Sequence, residues 1–438
     1  MASIFLFNIE NPIMVPCAEK WRATRFPTGL SLIAAVLFKE KHKITILDNY
    51  VPNVDINSIL NEVEKQQPDY LLITGFIRNG QYGFLKSVSH KLRMIAPNAI
   101  QIMGGPMATT IPELILNNFS LNYLVIGEGE ETILDLLDAL QRKRDISEVK
   151  GIGFCDDRGN AIITEKRARI KDFSKMPQPP YELFDMGFYM DYLARTGRCW
   201  ELLASRGCIG RCTYCKPTFG RELSFRPVQN IIEEMDFIKK NYGIDRFNFV
   251  DDNFLNSNRI IEEFISSLKS CKEKYKFRFQ GRVDRVDQKL ARRLREVGCF
   301  GISFGLESGS EKILSNLRKP VNIKKAEENL KGIFDEGLEI HTTFIVGTPL
   351  EDEATVDETK QFIRRVGITN VDAGILIPLP GTEVYHLAIQ RGIIKDEEEY
   401  CGNLGTIFGY EKIHVNLTEY SDETLIKWKN EINDSANR

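Results

Sequence analysis

The 438-residue chain is too long for one ordinary domain, and two domains of about 150–250 residues are its natural division. Hydrophobic residues make up 42% and charged residues 27%, as in a soluble globular protein with sizeable cores. With 58 basic against 61 acidic residues the net charge is −3, which leaves no basic excess to attract nucleic acid.

The first residues, Met1-Ala-Ser-Ile-Phe-Leu-Phe-Asn8, lack the basic stretch and cleavage site of a signal peptide. The longest apolar run, residues 29–38, is broken by Ser31 and is far too short to span a bilayer. A cytoplasmic protein with no membrane partner is expected. Up to residue 145, apolar strands at 3–7, 43–48, 70–74, 100–104 and 123–127 alternate with helices. These helices are expected at about 28–41, 54–66, 80–95, 109–118 and 131–141, from apolar spacings of three and four. Nearly continuous apolar strands between helices imply a parallel sheet covered on both faces, a doubly wound, Rossmann-like α/β domain.

Residues 146–195 form a bridging segment, with a hairpin turning at Asp156-Asp-Arg-Gly159 and an extended stretch at Pro177-Gln-Pro-Pro180. A second βα series occupies 196–400. Its strands are expected at 202–205, 246–250, 277–281, 301–305, 340–346 and 373–378, with helices near 227–241, 258–272, 287–297, 322–336 and 353–366. Six strands with right-handed crossovers close only part of an eight-stranded barrel. The fold expected here is a partial (β/α)6 TIM-type barrel, open at the side, with functional groups at the C-terminal strand ends. Residues 401–438 read as an extension with a closing helix at 422–433.

Nine cysteines stand at 17, 155, 199, 208, 212, 215, 271, 299 and 401. In a large cytosolic chain, clustered cysteines point to metal or redox chemistry rather than disulfides. Cys271 and Cys299, in stretches that read as helix and strand, are expected as small buried hydrophobes. Three others cluster in Ser205-Arg-Gly-Cys208-Ile-Gly-Arg-Cys212-Thr-Tyr-Cys215. The C-x3-C-x2-C spacing sets three thiolates on one tight loop, and Gly207 and Gly210 let the backbone wrap closely. Iron–sulfur clusters take thiolate ligands, and three instead of four leave one iron open to chelate an amino acid through its amine and carboxylate. A zinc site would want a fourth Cys or His close by, and no His occurs between residues 91 and 340.

Placed at the end of the first strand of a partial barrel, this motif resembles that of the radical S-adenosylmethionine (SAM) superfamily, and the likeness extends over about 198–400. The resemblance implies a [4Fe–4S] cluster on Cys208, Cys212 and Cys215 that passes one electron to SAM. The 5′-deoxyadenosyl radical so formed abstracts a substrate hydrogen. A low-potential donor of the flavodoxin or ferredoxin type would supply the electron. Tyr214 matches the aromatic position near the adenine. Asp252, in Phe249-Val-Asp-Asp-Asn-Phe254, matches groups that meet the methionine amine, with helix capping by Asp252 or Asn253 as its alternative. Arg282 could clamp a carboxylate with its planar fork. Glu307 and Ser308, in Gly305-Leu-Glu-Ser-Gly309, could meet ribose hydroxyls or the amine. Phe344-Ile-Val-Gly-Thr-Pro-Leu-Glu351 resembles the fifth-strand signature, which sets Val346 and Gly347 against adenine. Ile377-Pro-Leu-Pro-Gly-Thr382 resembles a sixth-strand end that borders the substrate.

In the first domain, Pro27-Thr-Gly-Leu-Ser-Leu, Asp48, Gly104-Gly-Pro106 and Gly127-Glu-Gly-Glu-Glu-Thr132 together resemble the cobalamin (B12)-binding domain fused to many such enzymes, over about 1–145. Open α/β sheets bind ligands at the carboxyl ends of their strands. The resemblance implies a cobalamin site at Asp48, Thr74, Gly75, Gly104, Gly105, Pro106, Gly127, Glu128 and Gly129. The D-x-H-x-x-G motif that supplies an axial histidine in cobalamin mutases is absent, and the first loop reads Asn8-Ile-Glu-Asn-Pro12. His42 and His90 fall in helix or turn stretches and are poor ligands.

The expected cofactors are thus a [4Fe–4S] cluster, SAM and cobalamin. The expected activity is methyl transfer to a small molecule or peptide. The same architecture also serves cyclisation, rearrangement or oxidation, and a non-catalytic cobalamin or iron–sulfur sensor is the alternative outside catalysis. A methylthiotransferase would carry three N-terminal cysteines, whereas residues 1–198 hold only Cys17 and Cys155. No residue is assigned as a catalytic acid or base. Residues 17–25 and Tyr181, Tyr189 and Tyr192 are expected to border the cleft.

Overall fold

The computed structural model describes residues 1–10, 25–52, 54–77, 80–404 and 413–437. Cys17 and most of the 17–25 segment lie outside the described residues. The chain divides into two compact units, residues 1–196 with 396–406, and residues 197–395 with 407–438.

The first unit holds β1 (Ser3–Asn8), β2 (Lys43–Asp48), β3 (Tyr70–Thr74), β4 (Ile100–Gly104), β5 (Tyr123–Val125), β6 (Ile152–Cys155) and β7 (Ala161–Ile163). They form one sheet in the order β2-β1-β3-β4-β5-β6-β7. The first five strands run parallel, and β6 and β7 return antiparallel as a hairpin. Ile4, Phe5, Leu6 and Phe7 are all fully buried, as an apolar strand covered on both faces must be. The chain leaves β1 toward β2 on one side and β3 lies on the other, so the topological switch point falls between β1 and β3.

One core layer sets Phe5, Phe7, Leu71, Ile73 and Met103 against Leu85, Val88 and Leu92 of the helix Gln81–Ile95. Cys401, from the helix Glu397–Asn403, joins this core. The helix expected at 109–118 is two, Gly105–Thr110 and Pro112–Asn118. They break at Ile111 (φ −131°, ψ 51°), because the residue before a proline is driven out of the α region. Besides the β6–β7 hairpin, residues 146–195 contain three 3₁₀ turns, and the helix Met186–Thr196 follows them. The rings of Tyr181, Phe184 and Tyr189 lie 5.4, 4.8 and 5.4 Å from that of Phe26. The prolines set the backbone, and the aromatic side chains fasten it.

The second unit begins with β8 (Trp200–Leu202), followed by β9 (Ser205–Arg206), β10 (Ser224–Phe225), β11 (Arg246–Phe249), β12 (Lys276–Gly281), β13 (Cys299–Glu307), β14 (Glu339–Val346) and β15 (Val371–Ile375). Six of these form a parallel sheet in the order β15-β14-β13-β12-β11-β8, while β9 and β10 pair antiparallel as a separate ribbon. Neighbours in the sheet follow chain order, as in a barrel wall, and β8 and β15 are its two unjoined edges.

The first barrel strand, expected at 202–205, ends at Leu202. Beyond it the Asp251 carboxylate takes up the Ala204 N–H and the Ser205 hydroxyl, so these residues leave the ladder. Side chains alternate along each strand. Phe247, Phe249, Phe277, Phe279, Phe304 and Phe344 are buried on the helix side, while Arg278, Ser303 and His341 are half-buried on the other. The helices Asn258–Ser270, Gln288–Glu296, Ile323–Asp335 and Glu353–Val366 each start on a side chain that accepts from the first turn: Ser257, Asp287, Asn322 and Asp352. Two short helices, Glu311–Asn316 and Glu383–Gln390, were not expected. Cys299 is buried, but Cys271 sits half-buried just past its helix. Among the described residues no helix is long and apolar enough to cross a membrane.

Candidate active site

The cysteine loop hangs between β9 and β10, whose pairing of Ser205 with Phe225 and Arg206 with Ser224 closes it at the base. Gly207 turns out of β9 at φ +90°, where a side chain would be strained. The Cys208 N–H then donates to Gly220 C=O (3.2 Å), and the Arg206 guanidinium lies 4.6 Å over the Phe219 ring. Gly210 sits between two sulfurs, and a Cβ there would lie 3.3 Å from Cys208 Sγ and 3.9 Å from Cys212 Sγ. Burial, and then the charges of Cys212, Asp252 and Cys208, push the Cys215 thiol up to about 12. Thiols that feel one another's charge resist ionising together unless a cationic centre offsets them, and the irons of a cluster would do so. Two contacts anchor the loop to the barrel: Thr213 N–H donates to Leu317 C=O (3.0 Å), and Val384 N–H donates to Thr213 C=O (3.2 Å). The 377–382 loop approaches as well, for a Cβ on Gly381 would overlap the Lys216 side chain.

Tyr214 and Glu307 are brought together. The Tyr214 hydroxyl donates to Glu307 Oε1 at 2.9 Å, and Lys319 Nζ donates to the same oxygen at 2.7 Å. Glu307 sits just past a register shift at the end of β13, with φ +68°, an uncommon backbone for a residue with a side chain. Gly305 is needed beneath it, since a Cβ there would overlap the Glu307 carboxylate. Oε2 of Glu307 makes no hydrogen bond among the described residues. Lys319 was not singled out in the sequence: it lies twelve residues beyond Glu307, past an unexpected helix, and nothing in its spacing marks it.

The other strand-end residues are placed as follows. Asp252 is exposed, with its charge felt at Cys215, whereas Asp251 is fully buried and raised to about 6 by that burial. Neither Asp252 nor Asn253 caps a helix; Ser257 does. Arg282 grips Asp284 with two bonds of 2.9 Å and donates to Pro320 C=O (3.3 Å), within electrostatic reach of Cys212 and Cys208. Ser308 is buried, with its Oγ 3.1 Å from Thr359 Oγ1 of the helix Glu353–Val366. Val346 C=O accepts from Leu376 N–H (2.7 Å), and the N–H groups of Gly347 and Thr348 both donate to the buried Glu351 carboxylate. Thr348 Oγ1 is buried beside them with no hydrogen-bond partner among the described residues. The open carboxylate oxygen on Glu307 suits a polar ligand such as SAM, whereas the Thr348 hydroxyl is sealed in the interior.

Glu351 carries a pH dependence. Burial raises its carboxyl from 4.5 to about 7 despite the two N–H donors. Folding therefore favours the protonated form, and this contribution is complete below pH 4.5 and is lost as the pH climbs toward 7. The loss is on the order of 3 kcal/mol. Urea unfolding from pH 4 to 8 should show this decline in the native chain and flatten by about that amount in Glu351→Gln. An unchanged slope would disprove the assignment.

In the first unit, Asp48 at the end of β2 accepts from the Tyr189 hydroxyl and from Tyr50 N–H (2.9 Å), and burial holds its carboxyl above the usual range. Tyr189 also receives a bond from Asn8 at the end of β1 (3.4 Å). At the β3 and β4 ends, Gly75 N–H donates to Gly104 C=O (3.1 Å), and Gly105 (φ +90°) packs so closely that a Cβ would reach 2.8 Å from Thr74 Oγ1. Pro106 enters the first turn of the helix that Gly105 begins. Glu128 accepts from Ile170 N–H (2.6 Å), and Gly129 makes room for Ile33. Gly127 differs from these: a Cβ there would meet nothing within 4 Å. Of these strand-end glycines, Gly127 alone faces open space, while Gly75, Gly105 and Gly129 are needed for close packing. His42 bonds Ala2 N–H and His90 bonds Ser120, so neither serves this edge.

Comparison with known proteins agrees with this geometry. Residues 202–363 match the Radical SAM superfamily model, and residues 20–137 match the B12 binding domain model. An uncharacterized methyltransferase of Pyrococcus horikoshii is 29% identical over 374 residues, 84% of this chain and 79% of that protein. Cytidylyl-2-hydroxyethylphosphonate methyltransferase of Streptomyces wedmorensis is 24% identical over 428 residues, 85% of this chain and 79% of its own. Among solved structures, the radical S-adenosylmethionine methyltransferase TsrM of Kitasatospora setae, with cobalamin and a [4Fe–4S] cluster bound, shares the fold. Its TM-score is 0.74 at 19% identity, covering 89% of this chain and 75% of TsrM. The chain thus carries a radical SAM domain over residues 202–363 and, ahead of it, a B12 binding domain over residues 20–137.

Proposed function

We propose that this chain is a cobalamin-dependent radical SAM methyltransferase of the cytoplasm, acting on a small-molecule or peptide substrate. Residues 1–145 would form its cobalamin-binding domain and 196–400 its radical-generating barrel. The observation that carries the reading is the cysteine loop itself. Three thiols are gathered on a closed loop at the C-terminal edge of an open parallel barrel, anchored to the stretch that bears Lys319.

Bound there, a [4Fe–4S] cluster supplies the electron that cleaves SAM, and cobalamin in the first unit supplies a carrier for the methyl group. Cys208, Cys212 and Cys215 would hold the cluster, and with no fourth protein ligand an iron would be left for the SAM amine and carboxylate. Glu307, fixed by Tyr214 and Lys319 through one oxygen, keeps the other for an amine or hydroxyl of SAM. A low-potential flavodoxin or ferredoxin type of protein would reduce the cluster.

The test is anaerobic reconstitution with iron, sulfide and cobalamin, followed by dithionite and SAM labelled in its methyl group. Formation of 5′-deoxyadenosine with label passing into the small-molecule or peptide fraction of a cell extract is expected. 5′-Deoxyadenosine without label transfer would replace methyl transfer by cyclisation, rearrangement or oxidation. No 5′-deoxyadenosine at all would refute the radical chemistry, and a spectrum without cobalamin bands would refute the role of the first unit.

A further inference from the structure

Beside the cysteine loop lies a cavity of about 570 Å³ into which five cations project: Arg211, Arg282, Arg285, Arg318 and Lys319. No carboxylate lines it, and neither do the three loop cysteines, Val346, Gly347 or Thr348. Its outer wall is the stretch between two cluster ligands, Ile209, Gly210 and Arg211. Five like charges around one small space repel each other, and such an arrangement favours an anion.

Three of the cations are held from behind by carboxylates outside the lining: Arg282 by Asp284 (2.9 Å), Arg318 by Glu383 (2.6 Å) and Lys319 by Glu307 (2.7 Å). The first and last of these pairs are largely shielded from water and hold their side chains, whereas Arg318 and Glu383 are more than half exposed and only loosely paired. The side chains of Arg211 and Arg285 have no hydrogen bond or ion pair among the described residues, and both are exposed. Two guanidinium forks without a partner suit the oxygens of a phosphate, which they can grip two at a time. Ile209, Leu314 and Pro320 give the same cavity an apolar flank. The volume falls in the range of small-ligand pockets, about 300–1,000 Å³. A protein partner would instead need a broad surface of roughly 800 Å² on each side.

We propose that this cavity binds the phosphate-bearing end of a small-molecule substrate and holds it beside the cysteine loop. Calling the ligand a substrate rests on the proposed function; the binding does not. The probes are phenyl phosphate, which has an apolar body, and inorganic phosphate, titrated calorimetrically into the reconstituted chain under argon at fixed ionic strength. Phenyl phosphate should bind several times more tightly than phosphate. Arg211→Gln with Arg285→Gln should weaken it about tenfold or more, and Arg211→Lys with Arg285→Lys should weaken it less. Dithionite-driven 5′-deoxyadenosine formation should stay unchanged in both double variants.

The proposal is overturned if phenyl phosphate does not bind, if the Gln variant binds it equally, or if inorganic phosphate binds as well, which marks a free-anion site. Loss of dithionite-driven 5′-deoxyadenosine would assign the cavity to SAM. Loss only with reduced flavodoxin as the electron source would make it a docking surface for the donor. Failure of the native chain to form 5′-deoxyadenosine would remove the proposed function but leave the titration readable.

Discussion

Alanine at Cys208, Cys212 or Cys215 should empty the loop of iron and lower SAM cleavage by about three orders of magnitude or more. In the proposed function each would be one of three ligands to a cluster without a fourth from the protein, and two thiolates on a short loop would not retain it. The loop itself should survive. Its ties are the β9–β10 pairing, the Cys208 N–H bond to Gly220, the Arg206 contact with Phe219 and the backbone bonds of Thr213, none of which uses a sulfur. Circular dichroism and the denaturation midpoint should therefore match the native apoprotein. Cys199→Ala and Cys271→Ala, outside the loop, should keep full iron content. Iron analysis on anaerobically reconstituted variants decides it: a single loop variant that retains native iron and turnover would remove that cysteine from the ligand set.

Lys319→Met should destabilise the second unit by about 3–5 kcal/mol, the cost of leaving a buried carboxylate without its cation. The Lys319 and Glu307 side chains are only 13% and 9% exposed, so water can do little for the charge left behind. Adding Glu307→Gln should recover much of the loss, because the double variant has no unpaired charge and Tyr214 can still donate to the Gln oxygen. Turnover should not recover, since the open oxygen of Glu307 is gone. Denaturant unfolding of the four members of the cycle gives the coupling, and SAM cleavage on the same samples separates packing from function. Independent, additive effects would mean that the pair does not act as a unit.

The two layers of βα elements could be read from the sequence because burial on both faces makes strands continuously apolar, as in Ile4–Phe7. The cysteine motif could be read because its three cysteines are local in sequence. What escaped the sequence depends on contacts between distant segments. The chain leaves the barrel after Leu202 because the Asp251 carboxylate, some fifty residues away, captures Ala204 and Ser205. Lys319 meets Glu307 only through the register shift and positive φ at the end of β13. Glu351 takes the N–H groups of Gly347 and Thr348, so the glycine signature alone could not say which polar group at that strand end is left over. The short helices at 311–316 and 383–390 have too few turns for periodicity to register.

The path of the chain between its units has a consequence for how such an enzyme can be dissected. Residues 396–406 return to the first unit after the barrel strands are complete, and residues 407–438 then rejoin the second. Cys401 fills the first core, Leu404 accepts the Gly80 N–H at 2.8 Å, and Glu398 pairs with Lys86. A cut after residue 196 therefore yields a first unit with a missing wedge in its core. The N-terminal module is not a cassette that recombination can lift out or exchange at a single junction. A graft would have to carry a distant strip of sequence with it, so the two units are bound to be inherited, and to drift, together.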